Sequence, residues 1–136
     1  MAMSVREGFH TLTPYMIFDD PGKAIDYYKQ AFGATEIGRH VDGKGGIRHA
    51  EIIIGDSPMM LCGTTPDYPS MKAPSSYGGS PAQLFIYASD PDAMIQAAVD
   101  AGGRIVLEIA DRPYGRGGGV EDPFGYTWWI NSHKEM

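Results

Sequence analysis

The chain carries one structural unit twice, and that repetition limits its folding options more than any other feature. Asp20-Pro21 opens a stretch ending at Phe32 whose apolar residues Ala24, Ile25, Tyr28, Ala31 and Phe32 recur at helical spacing. Seventy residues on, Asp90-Pro91 opens a second stretch ending at Ala101, with Met94, Ile95, Ala98, Val99 and Ala101 spaced the same way. The same offset carries Ala31 onto Ala101 and Gly33 onto Gly103. Each start has a physical cause: the aspartate side chain accepts orphan N–H groups of the first turn, and proline at the first helical position loses no hydrogen bond. Gly33 and Gly102 suit the C-terminal ends.

An apolar run precedes each helix, Thr13 to Phe18 in the first half and Gln83 to Ala88 in the second. Strand-like segments follow: Glu36 to Val41, Ala50 to Ile54 and Met59 to Cys62, then Arg104 to Ile109, Gly118 to Glu121 and Tyr126 to Ile130. Turns are expected at Asp42-Gly43, Gly55-Asp56 and Asp122-Pro123-Phe124-Gly125. Both halves read βαβββ, which predicts an α+β domain of two modules, about 11–62 and 83–133. One helix cannot cover both faces of a four-stranded sheet, so the modules should pair with each other or with a second chain. The connection Gly63 to Ala82 carries four prolines and Gly78-Gly79; its Tyr68, Met71 and Tyr77 fit a loop that touches a ligand or a partner subunit better than a plain linker.

With 136 residues, 43% hydrophobic and 21% charged, the chain is long enough for one domain with a sizeable core. Cys62 stands alone, which excludes an intrachain disulfide and suits a reducing compartment. The first eight residues lack the apolar core of a signal peptide, and no window approaches the roughly 18 apolar residues of a membrane span. A soluble cytoplasmic protein is expected. Formal net charge is −6 with scattered lysines and arginines, which argues against nucleic acid as a partner.

Paired βαβββ halves, the early segment Phe-Asp-Asp-Pro-Gly-Lys-Ala-Ile-Asp-Tyr-Tyr-Lys-Gln-Ala-Phe-Gly-Ala and the Asp122-Pro123-Phe124-Gly125 turn before Trp128 resemble the vicinal oxygen chelate superfamily. That superfamily includes glyoxalase I, extradiol dioxygenases and fosfomycin and bleomycin resistance proteins. His49-Ala50-Glu51 and Ile54-Gly55-Asp56 are similar to its PhnB-like members, and the likeness runs from about Leu12 to His133. It implies curved mixed sheets with helices on the convex side. In the family's metalloenzymes four side chains, mostly His and Glu, hold a divalent ion on the concave face. The corresponding positions here are Thr13, Met60 (Leu61 if the register is one residue out), Gln83 and Trp129. Indole is donor only, a thioether suits soft ions, and two neutral oxygens do not replace carboxylates or imidazoles. No metal and no other cofactor is expected.

If Trp129 holds the family's ligand position, strand alternation turns it to the cavity with Thr127, while Tyr126, Trp128 and Ile130 enter the core. The same rule lines the cavity with Thr13, Tyr15 and Ile17, and with Gln83, Phe85 and Tyr87. Aromatic walls with a few polar points describe a pocket for a small, flat or hydrophobic molecule. The bland alternative is that the rings pack the cavity shut. His49 and Glu51, two apart and so on one face, offer a base and its orienter for a lyase or dioxygenase, or else a hydrogen-bonded structural pair. Arg112, Tyr114 and Arg116 sit in an expected Gly-rich loop, Asp111 to Gly119, where Arg116 is a candidate anion clamp. Three readings follow: a metal-independent binder of the bleomycin-resistance kind acting as a homodimer, an enzyme using His49 and Glu51, and a structural protein with closed cavities.

Overall fold

The computed structural model of the chain describes residues 4–135. Its elements run β1 (Tyr15–Phe18), α1 (Pro21–Phe32), β2 (Thr35–Val41), β3 (Ile47–Ile54), β4 (Ser57–Gly63), β5 (Leu84–Tyr87), α2 (Pro91–Asp100), β6 (Arg104–Arg112), β7 (Gly115–Glu121) and β8 (Thr127–Asn131). The chain divides into two compact units, one built from residues up to 29 together with 33–73, the other from 30–32 together with 74 onward. The first holds a sheet of order β1-β4-β3-β2 and the second a sheet of order β5-β8-β7-β6. In each, the outer strand before the helix runs parallel to its neighbour and the other pairings are antiparallel. The doubled βαβββ pattern is therefore the fold of the molecule, two mixed four-stranded sheets with one helix each.

Helix starts follow the expected chemistry. Asp20 accepts from the Lys23 amide at 3.2 Å and Asp90 from the Ala93 amide at 3.1 Å, with proline at the first helical position of both helices. Gly33 closes α1 in the left-handed region at φ 68°, and its amide returns to the Lys29 carbonyl. In the first unit Met16, Phe18, Ala50, Ile52, Met59 and Leu61 are buried on one face of the sheet, and Tyr28 of α1 meets Phe18 edge-on at 5.9 Å. The second unit buries Val120, Trp128 and Ile130 with Ile95 and Ala98 of α2, and Phe32 packs on Trp128 at 4.7 Å.

Three expected boundaries shift. β1 begins at Tyr15 and β5 at Leu84, so Thr13 and Gln83 precede their strands. The Thr13 hydroxyl instead donates to the His10 carbonyl, and Pro14, which has no amide hydrogen, takes part only through its carbonyl, accepting from Met60 at 2.9 Å. The stretch read as a Gly-rich loop is mostly strand: β6 extends to Arg112 and β7 begins at Gly115, leaving Pro113 and Tyr114 as the turn. The connection 64–83 is also not structureless, because Pro74–Ser76 forms a single 3₁₀ turn with Ala73 and Pro74 buried.

The last turn is held by one carboxylate. Asp122 is 3% exposed; its Oδ1 accepts from the amides of Phe124 (2.9 Å) and Tyr126 (3.0 Å), and its Oδ2 accepts from Trp128 Nε1–H at 2.9 Å. Three donors depend on it, two of them on buried residues. Asp122→Ala leaves all three unsatisfied at about 1–3 kcal/mol per buried group, so thermal unfolding should move down by about 10 °C or more, read by calorimetry. A shift below about 3 °C would show that the turn is held by other contacts.

Candidate functional site

On β8 the alternation resolves the Trp-Trp pair. Trp128 and Ile130 are buried against the helix side, whereas Trp129, half-buried, takes the opposite face. Register sets Trp129 beside Phe85 on β5 and Gly119 on β7, and sets Asn131 beside Tyr87 and Gly117. The two glycines make room for what lies over them. A methyl added at Gly119 would come within 2.5 Å of Cζ3 and 2.7 Å of Cε3 of Trp129, and one at Gly117 within 2.6 Å of the Asn131 amide. The indole thus rests on bare backbone, and its Nε1–H donates to Gln83 Oε1 at 2.9 Å. Phe85 and Tyr87 complete the face with rings 4.9 Å apart, 49% and 69% exposed. Gln83, Phe85, Tyr87 and Trp129 are therefore brought together on one side of the second sheet.

The first sheet has its own open face. Tyr15, Met60 and Glu51 lie in one cross-strand row, and Cys62, His49 and His40 in the next. The Tyr15 ring stands 5.9 Å from that of His49 and its hydroxyl meets the buried Cys62; burial raises the pKa of the phenol and of the thiol alike. Glu51 is fully engaged. Its Oε1 accepts from Arg6 Nη1 at 2.6 Å, and its Oε2 lies 3.1 Å from His49 Nε2. Burial alone would raise the Glu51 pKa, but the guanidinium and the imidazole outweigh it, so the carboxyl sits below its ordinary range. A carboxylate so held is a weaker proton acceptor than an unpaired one.

Arg116 does not join the aromatic side chains. On β7 it alternates with Gly117 and Gly119, so it points to the helix side, where Nε and Nη2 each hold a carboxylate oxygen of Asp92 at 2.8 Å and Nη1 lies 3.4 Å from Asp111. Its neighbour Arg112 donates to the carbonyls of Glu108 and Gly117. Both guanidiniums serve the fold because the hairpin and α2 supply acceptors that a mobile loop would not. Two open depressions in the second unit, of about 480 and 240 Å³, flank Asp90 and Phe124 respectively, and neither is lined by Trp129.

The sequence profile of the Glyoxalase/Bleomycin resistance protein/Dioxygenase superfamily matches residues 9–130. The chain belongs to this superfamily. An uncharacterised protein of Mycobacterium bovis is 38% identical over 120 residues, covering 86% of this chain and 79% of that protein. Among solved structures, a gene product of Arabidopsis thaliana superposes with a TM-score of 0.74 at 28% identity, covering 91% of this chain and 99% of that one. TioX from Micromonospora sp. ML1 superposes with a TM-score of 0.70 at 26% identity, covering 93% and 98%. The positions to which the resemblance assigns the family's metal ligands carry Thr13, Met60 (or Leu61), Gln83 and Trp129. The Gln83 oxygen is already committed to the indole, and the thioether and indole are poor donors to a hard divalent ion, so these residues do not fit the group. Among the described residues no three His, Cys, Asp or Glu side chains gather so as to hold a metal ion.

Arg6 as partner of Glu51, and the pairings of Asn131 and Trp129 with Gly117 and Gly119, escape sequence reasoning. The glycine run was their one visible signal, and it reads equally as a loop. Because Trp129 lies against Gly119, Gly119→Ala should displace the indole, shifting its fluorescence emission to longer wavelength, and should cost about 1–3 kcal/mol in chemical denaturation. An unchanged spectrum and midpoint would mean that the ring does not rest there.

Proposed function

We propose that this superfamily member binds a small, flat or hydrophobic molecule by stacking on the aromatic face of its second sheet, with no metal ion, in the way expected of bleomycin-resistance-like proteins. The observation that carries the reading is Trp129, its indole seated on Gly119 and pinned by Gln83, with one face left for a ligand and Phe85 and Tyr87 exposed beside it. A pinned ring loses little freedom on binding, so its contact area contributes to affinity without the ordering cost of a mobile side chain. Tyr15 and Met60 lie in one row on the open face of the first sheet, with Thr13 just ahead of β1.

One feature weighs against an enzyme that uses Glu51 as its base: the carboxylate is held by Arg6 and His49, and its pKa is lowered where a base working near neutrality needs it raised. The reading also carries a homodimer in the cytoplasm, for which the consecutive Ile105, Val106 and Leu107 on the edge strand β6, each 37–39% exposed, offer an apolar contact.

A planar bicyclic lactam serves as probe, followed by isothermal titration. Removing the indole should weaken it about 20- to 100-fold in Trp129→Ala, as expected for the loss of roughly 100 Å² of stacked apolar surface, while Trp129→Phe retains most of the affinity. Chelator should leave wild-type affinity unchanged. Equal affinity in Trp129→Ala, or affinity that disappears with chelator and returns with a divalent ion, contradicts the reading.

A further inference from the structure

Asn131 is the second polar residue buried among the described residues, at 4% exposure, and it departs from the rule that accounts for the first. Asp122 has its oxygens saturated, whereas the Asn131 Oδ1 is buried with no hydrogen-bond partner. A buried amide oxygen left unpaired costs about 1–3 kcal/mol, so it is retained only where something offsets that cost. Its place in the fold is specific. Asn131 follows Trp129 by two residues on β8 and shares its face; it sits over Gly117 as the indole sits over Gly119. Gly119 thus clears space for an aromatic plane, while a side chain at Gly117 would strike the Ile130 carbonyl and the Asn131 amide together.

We infer that Asn131 is a specificity-determining contact of the stacking face, accepting a hydrogen bond from an N–H or O–H group at the edge of the bound planar molecule. Three observations agree on this assignment. The oxygen is a pure acceptor, which calls for a donor on the ligand. Strand geometry puts it about 7 Å along β8 from Trp129, which a ring-edge donor about 4 Å from the centre of a stacked bicycle spans together with a hydrogen bond of about 2.9 Å. Its pairing neighbour across β5 is Tyr87, 69% exposed, whose ring meets Phe85 and His133 edge-on; a side chain that exposed turns aside at little packing cost. The ligand class narrows from any flat molecule to a planar one carrying a ring-edge donor such as a lactam, amide or phenol. Molecules lacking the donor would leave the oxygen as unsatisfied as it is now, which is how a polar group inside an apolar site discriminates.

The inference rests on the stacking reading, and a matched pair of probes separates the two. The planar bicyclic lactam and its N-methyl derivative share the ring and differ in the donor. Wild-type protein should bind the N–H lactam about five- to tenfold more tightly by isothermal titration, the range of one hydrogen bond to a buried acceptor. In Asn131→Leu, of similar volume, that preference should fall to within twofold while the N-methyl probe binds as before. Equal wild-type affinities overturn the role of Asn131 and leave stacking in place; so does a preference that survives in Asn131→Leu. Binding of neither probe overturns the stacking reading and this inference together. If Asn131→Leu fails to fold by circular dichroism, Asn131→Ala takes its place: loss of the preference supports the role of Asn131, and a preference that survives overturns it.

Discussion

A single buried carboxylate determines which tryptophan the molecule shows. Asp122 gathers two backbone amides of its own turn and the indole N–H of Trp128, so the start of β8 has one register. A slip by one residue would carry Trp128 out of the core and break its bond to Asp122. With Trp128 fixed inward, against Phe32, alternation forces Trp129 outward, and everything on the open face of the second sheet follows from that. Structure and site are coupled through adjacent residues doing opposite work.

The glycines of β7 form the complementary half of the same arrangement. Gly117 and Gly119 lie on the face that carries Asn131 and Trp129, and neither could bear a side chain without displacing what rests on it. Backbone is a flat support, so the indole is held close to the sheet and pinned at its nitrogen by Gln83. The outcome is an aromatic surface held against a strand, with the exposed Phe85 and Tyr87 at its side. The first sheet differs in kind: beside Tyr15 and Met60 its open face carries a paired polar group, Glu51 held by Arg6 and His49.

Much of this was legible in the sequence, because the signals were local and repeated. The Asp-Pro helix starts at 20–21 and 90–91 have a cause that operates within four residues, and both helices and all eight strands were placed from such signals. That Trp128 and Trp129 face opposite ways needed only a period of two, and the family resemblance said which of them turns outward. Long-range pairing was the part that did not show. Arg116 read as an anion clamp because its carboxylate partners, Asp92 and Asp111, are set by how α2 and β6 pack on β7. Gly117, the strand residue beside Asn131, read as loop for the same reason, since glycine that yields to a neighbour is indistinguishable in sequence from glycine that frees a turn. Asn131 carried no signal, because its burial depends on neighbours from two other strands.

The most direct test follows the two indole N–H resonances by two-dimensional NMR while a planar aromatic probe is added. The Trp129 resonance should move progressively, accompanied by the amides of Gly117 and Gly119, while that of Trp128, bonded to Asp122 inside the core, stays in place. Movement of Trp128 with Trp129 unaffected, or saturation of the protein with neither indole shifted, would contradict the account.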